Sequence, residues 1–112
     1  EFRLLLLLLL VLALLIDGSI AGELEVAAGD NSIFVDKTNF GYDNWSRYIS
    51  FKDEVELIGV CTDICVVSNA LALRTLHADL NITVDSNCCA GTSTENHNAA
   101  LAVMKSCHID IV

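Results

Sequence analysis

Between residues 53 and 112 the apolar and polar positions switch repeatedly between a strand-like and a helix-like spacing. VELIGV (55–60) is a short apolar run with few polar interruptions, which predicts a strand in a sheet covered on both faces. TDICVVSNALALRTLHA (62–78) keeps apolar residues at Val66, Val67, Ala70, Leu71, Leu73 and Leu76, the period of a helix. LNITVD (80–85) predicts a second strand and SNCCAGT (86–92) a loop. STENHNAALAVMKSC (93–107) predicts a second amphipathic helix, with Ala99, Leu101, Ala102 and Val103 among its apolar positions, and HIDIV (108–112) predicts a further strand. Two consecutive strand–helix–strand units of this length give a parallel sheet with helices on its faces. The expected class is α/β.

Upstream the pattern is less regular. NSIFVDK carries a short strand-like run, Ile33 to Val35, and TNFGYDNWSRYISFK (38–52) reads as an aromatic-rich loop entering a short helix. Residues 4–16, LLLLLLLVLALLI, are 13 uninterrupted apolar residues behind Arg3. That is short of the about 20 that span a bilayer. Three readings fit. The run resembles the apolar core of a secretory leader, with Ser19 and Ala21 as the small residues of a cleavage site before Gly22. It also fits the start of a fragment, with Glu1-Phe2 as a vector scar. The third reading is a fully buried strand, preceded by low-complexity leucine, that ends at Asp17-Gly18-Ser19. Residues 1–21 are therefore set apart as an apolar leader or degenerate strand, and 22–112 as a partial domain.

Composition narrows the classes. With 112 residues, 54% hydrophobic and 19% charged, the chain suits one packed domain rather than disorder. Asp and Glu total 15 against 6 Lys and Arg, a net charge of -9 that repels phosphate backbones and anionic membranes. No nucleic-acid partner is expected, and membrane association only if residues 4–16 act as a leader. The 5 cysteines cannot all pair, and their spacings miss the zinc-site patterns, so free thiols in a reducing, cytoplasmic setting are expected. Secretion is the alternative if residues 1–21 are a signal peptide.

The stretch GVCTDIC (59–65) carries the candidate chemistry. A strand runs into Cys61, turns, and re-emerges as a helix, with Thr62 as the expected N-cap whose hydroxyl accepts a backbone N–H. Cys65 then falls in the first helical turn, where unpaired N–H groups and the helix dipole favour a thiolate. The same N–H groups suit a developing oxyanion. Against this, cysteine is among the most buried residue types, and packing is the preferred reading of Cys61.

GVCTDICVVSNALALR, then ITVD, then CCAGTSTENHNAALAVMKS resembles the isochorismatase-like cysteine hydrolases, nicotinamidases in particular. The resemblance covers roughly residues 22–112. It implies a three-layer α/β/α fold with a mainly parallel sheet, here truncated on its N-terminal side. It also implies a catalytic set of aspartate, lysine and cysteine. By motif, the nucleophile falls on Cys65 and the non-proline cis peptide between Val60 and Cys61. The oxyanion donors become the backbone N–H groups of Cys61 and Cys65. Lys37, in IFVDKTNFGYDNW, matches the lysine that stabilises the thiolate. The chemistry implied is cleavage of a small-molecule amide through a thioester.

The sequence departs from the family at the aspartate. No Asp-x-Gln-x-Asp-Phe motif follows the first apolar run, and LALLID (12–17) leaves only Asp17 as a stand-in for the base, so the catalytic set is expected to be incomplete in this fragment and turnover slight. The metal site of nicotinamidases needs histidines upstream of the lysine, yet no histidine precedes His77, so neither metal nor cofactor is expected. His77, His97 and His108 read as surface or structural residues, and Cys88-Cys89 as small buried filler. Phe40, Tyr42 and Trp45 read as a cover for the sheet edge ahead of a pocket wall for a flat ring. The rival to an amide hydrolase is a non-catalytic remnant that acts through association. Its free sheet edge would then favour homo-oligomers.

Overall fold

The computed structural model describes residues 3–8, 35, 39–50 and 52–112. Four strands form a single sheet: β1 (Arg3–Leu8), β2 (Glu54–Val60), β3 (Asn81–Ala90) and β4 (Asp110–Ile111). They stand in the order β1-β2-β3-β4, and every neighbouring pair is parallel. Helix α1 (Val67–Leu76) crosses from β2 to β3, and α2 (Thr94–Ser106) from β3 to β4. The α/β class and parallel crossovers are those the pattern predicts. Part of the leucine run is strand, while the strand end expected at Asp17-Gly18-Ser19 lies outside the described residues. The strand occupies Arg3–Leu8, within the leucines themselves, and pairs from Arg3↔Glu54 to Leu8↔Gly59.

Alternation along β2 and β3 defines where the core lies. Val55, Leu57, Ile82 and Val84 are fully buried, whereas Glu56, Ile58, Thr83 and Asp85 on the other face are half-buried. The buried face meets Val66, just before α1, and Ala70 and Leu73 of α1, one turn apart, with Ala100 and Met104 of α2. The second face of β2 therefore carries its polar residues, Glu54 and Glu56. A helical layer to complete the expected three is not among the described elements.

Four local readings are corrected. Residues 86–90 are strand, not loop: β3 continues to Ala90, with Gly59↔Cys89 and Val60↔Ala90 in register. A bulge between Leu57 and Gly59 absorbs the extra residues. Gly59 has φ 131°, a conformation that side chains other than hydrogen rarely adopt. In consequence Cys88 is exposed and Cys89 half-buried, so neither is fully buried filler.

The inward line of α2 is Ala100 and Met104, rather than the Ala99, Leu101, Ala102 and Val103 set. Leu101 is half-buried, while Val103 remains 48% exposed. The helix packs against residues 62–66, α1 and β4.

Residues 108–109 are a helix stop and not strand. His108 has φ 62°, its N–H reaches the Lys105 carbonyl at 3.1 Å, and the Ile109 N–H reaches that of Met104 at 3.1 Å. These two bonds and the buried Met104–Ile109 pair make a Schellman motif, with histidine where glycine is favoured. The fourth correction, at Thr62, belongs to the site.

Candidate active site

β2 delivers its C-terminal end to a peptide bond, Val60–Cys61, that is cis. The next residues, Thr62–Val66, form one wide π-helical turn before α1 begins. The Cys61 carbonyl accepts from the Ile64 N–H at 3.0 Å and the Val66 N–H at 3.2 Å. The second of these spans five residues, which is what widens the turn. Cys61, not Thr62, therefore occupies the capping position. Thr62 is wound inside the turn, fully buried, and its hydroxyl pairs with His97 Nδ1 at 2.7 Å.

Three further attachments fix this turn. The Asp63 carboxylate accepts from the Thr92 N–H at 2.8 Å and from the Thr92 hydroxyl, which in turn accepts from Asn96 Nδ2 at 3.0 Å. These bonds from Thr92 hold the Asp63 carboxyl below its ordinary range. The Ser68 hydroxyl donates back to the Ile64 carbonyl. Asn69, fully buried one turn beyond Cys65, donates to the Cys65 carbonyl at 2.8 Å. Its oxygen accepts from the Tyr42 N–H at 2.8 Å and the Trp45 indole N–H at 2.9 Å.

The thiols differ in setting. Cys65 is fully buried and belongs to the core cluster with Val66 and Ala70. Burial, then Asp63 and Cys65 nearby, push the Cys61 thiol up. The Cys88 thiol is raised by its hydrogen bond to Asp85 and that of Cys89 by burial. Cys61, Cys88 and Cys89 are thereby disfavoured as thiolates.

Asp17 and Lys37 both lie outside the described residues. Among the described residues no three His, Cys, Asp or Glu side chains converge to hold a metal ion. Of the histidines, His97 braces the turn. Gly91 makes that possible, since a Cβ there would stand 2.8 Å from the His97 Cβ and 2.9 Å from its Cα. Trp45 is 5% exposed and meets Tyr42 edge-on at 4.8 Å, while Phe40 is 55% exposed. Trp45 thus covers the core. Sequence reasoning missed Asn69 as a brace, since its partners Tyr42 and Trp45 are distant in sequence, while His97 takes the structural one of its two expected roles.

No described helix is long and apolar enough to cross a membrane. Residues 17–112 match the family model described as the Isochorismatase domain. No curated protein matches the chain. Among solved structures it resembles nicotinamidase SaPncA from Staphylococcus aureus, at 29% identity and a TM-score of 0.63, over 84% of this chain and 60% of that one. It also resembles nicotinamidase/pyrazinamidase PncA from Bacillus subtilis, at 25% identity and a TM-score of 0.62, over 77% of this chain and 49% of that one. The chain therefore spans about half to three fifths of the length of these two structures.

Proposed function

The chain belongs to the isochorismatase family, and from that premise we propose that it is a cysteine hydrolase of small amides with Cys65 as nucleophile. The observation that carries this reading is the placement of Cys65 on a braced turn at the C-terminal end of a parallel strand. That is where open α/β sheets gather their chemistry. The two solved structures described above are nicotinamidases, so the substrate class proposed is a flat aromatic carboxamide.

In the mechanism the Cys65 thiolate attacks the amide carbonyl carbon. The C–N bond breaks, and the amine leaves as ammonia after taking a proton from the general acid. Water, deprotonated by the same group acting as base, then attacks the thioester. The carboxylate product leaves and the thiol is restored. The family resemblance assigns thiolate stabilisation to Lys37 and the oxyanion contacts to the Cys61 and Cys65 N–H groups, and leaves Asp17 as a stand-in for the acid–base group, whose family motif this sequence lacks. The braces on Thr62, Asp63 and Asn69 would hold the nucleophile turn still during both attacks. The test is mass spectrometry of acid-quenched mixtures with nicotinamide. An acyl group on the peptide bearing Cys65 is expected, and its absence while ammonia forms would refute the covalent route.

One observation favours a second reading. Cys65 has no exposed surface, so a substrate carbonyl reaches its sulfur only if the site opens. A non-catalytic family member would keep this cysteine as core. Mass spectrometry separates the two, because a core thiol acquires no acyl group.

A further inference from the structure

Segment 40–45 and the nucleophile turn meet at one side chain. A primary amide offers two acceptor lone pairs and two donor hydrogens. Asn69 uses all four. Its oxygen accepts from the Tyr42 N–H and the Trp45 indole N–H, and its nitrogen donates to the Phe40 carbonyl at 3.0 Å and the Cys65 carbonyl at 2.8 Å. Two donors on one side and two carbonyls on the other also settle which end of the amide is oxygen. The segment passes close over this point, since a Cβ on Gly41 would lie 3.7 Å from the Ser68 Cβ and 4.0 Å from Asn69 Oδ1.

We infer that Asn69 is the positioning residue of the Cys65 site, locking the aromatic segment 40–45 to the turn that carries the thiol so that the two move as one unit. The coupling is a property of the ground state, and it rests on the proposed function only for the meaning of Cys65 as nucleophile. No other residue type of this size supplies two donors and two acceptors. Leucine or alanine would leave the buried indole N–H of Trp45 without its acceptor. Aspartate keeps the acceptor for Tyr42 and Trp45 but turns its second oxygen toward the Phe40 and Cys65 carbonyls. It can face them only when protonated.

Trp45 is the sole tryptophan of the chain, so its emission reads the lock directly. The experiment uses the full chain without substrate. It follows Trp45 emission and dithiodipyridine labelling of Cys65 relative to Cys107 in the same molecule, for wild type, Asn69→Ala and Asn69→Asp. Asn69→Ala should red-shift the emission at every pH. It should raise the Cys65:Cys107 labelling ratio about fivefold, the equilibrium factor of one net hydrogen bond.

Asn69→Asp should lie nearest wild type in acid, where its carboxyl carries a proton and donates to one of the two carbonyls. It should turn alanine-like as pH rises, with one midpoint shared by both readouts and lying above the ordinary aspartate value of about 4. An unchanged labelling ratio, or rates at Cys65 and Cys107 that rise together, would overturn the inference and leave Asn69 as a general stabiliser. If the alanine variant fails to fold, the pH dependence of the aspartate variant decides alone. Because no substrate is present, failure of the amidase reading would leave these results intact.

Discussion

Replacing Arg74 by methionine removes a guanidinium shared by the C-terminal ends of both helices. Its Nε donates to the Cys107 carbonyl at 3.1 Å and its Nη2 to that of His108 at 2.7 Å. Nη1 reaches the carbonyls of Leu80 at 2.7 Å, Ala78 at 2.9 Å and His77 at 3.5 Å. The side chain therefore ties the end of α1, the entry to β3 and the end of α2 together, where a positive charge also suits both helix dipoles. Ala78 and His108 are exposed and can take water in its place. Leu80 is buried and Cys107 half-buried, so their carbonyls are the ones that lose most. A hydrogen bond from a charged donor contributes about 1.5–3 kcal/mol. Two such bonds, discounted for non-additivity, put the loss at roughly 2–4 kcal/mol.

With a urea m-value of about 2 kcal/mol/M, the midpoint should fall by about 1–2 M. Urea unfolding followed by Trp45 emission and far-ultraviolet circular dichroism measures this. Arg74→Lys should recover less than about half, because a point charge keeps the dipole interaction and loses the fork. A methionine variant within about 0.3 M of wild type, at unchanged m, would refute the clasp.

Other substitutions probe the same framework. His108→Gly removes a side chain from a left-handed position while keeping the backbone bonds, and should stabilise by about 0.5–1 kcal/mol in the same assay. Gly91→Ala should cost about 1–3 kcal/mol and weaken the Thr62–His97 pair, seen as a shifted His97 imidazole resonance, because the new methyl meets His97 backbone. The Asp63 carboxyl is held below its ordinary 3.8, so its bonds to Thr92 should persist above that value and be lost as pH falls through the lower folded value. The Thr92 amide resonance should move only in that acid window, and movement already near pH 5 would contradict the pairing.

The crossover pattern was legible because β2, α1, β3 and α2 each bury residues at their own period. Leucines at 4–8 were ambiguous for the opposite reason. An unbroken apolar run has no period, and its strand identity comes from pairing with β2, which only tertiary structure supplies. Thr62 misled because a hydroxyl before a helix ordinarily caps it. Here the carbonyl of Cys61 is reached from Val66, and the hydroxyl is left for His97. His108 was hidden because left-handed stops are written mostly with glycine. Asn69 looked like any polar helical residue, since all its partners but Cys65 lie more than twenty positions away in sequence. The position of Cys65 just after a strand was readable from the sequence, whereas its role as nucleophile is a proposal. Asp17 and Lys37 rest on the resemblance.

The most direct test is ammonia release from nicotinamide by the 112-residue chain beside its Cys65→Ala variant, at matched folded concentration. Nucleophilic catalysis by Cys65 predicts release by the chain and only background from the variant. Equal release from both, or none from either, would contradict it.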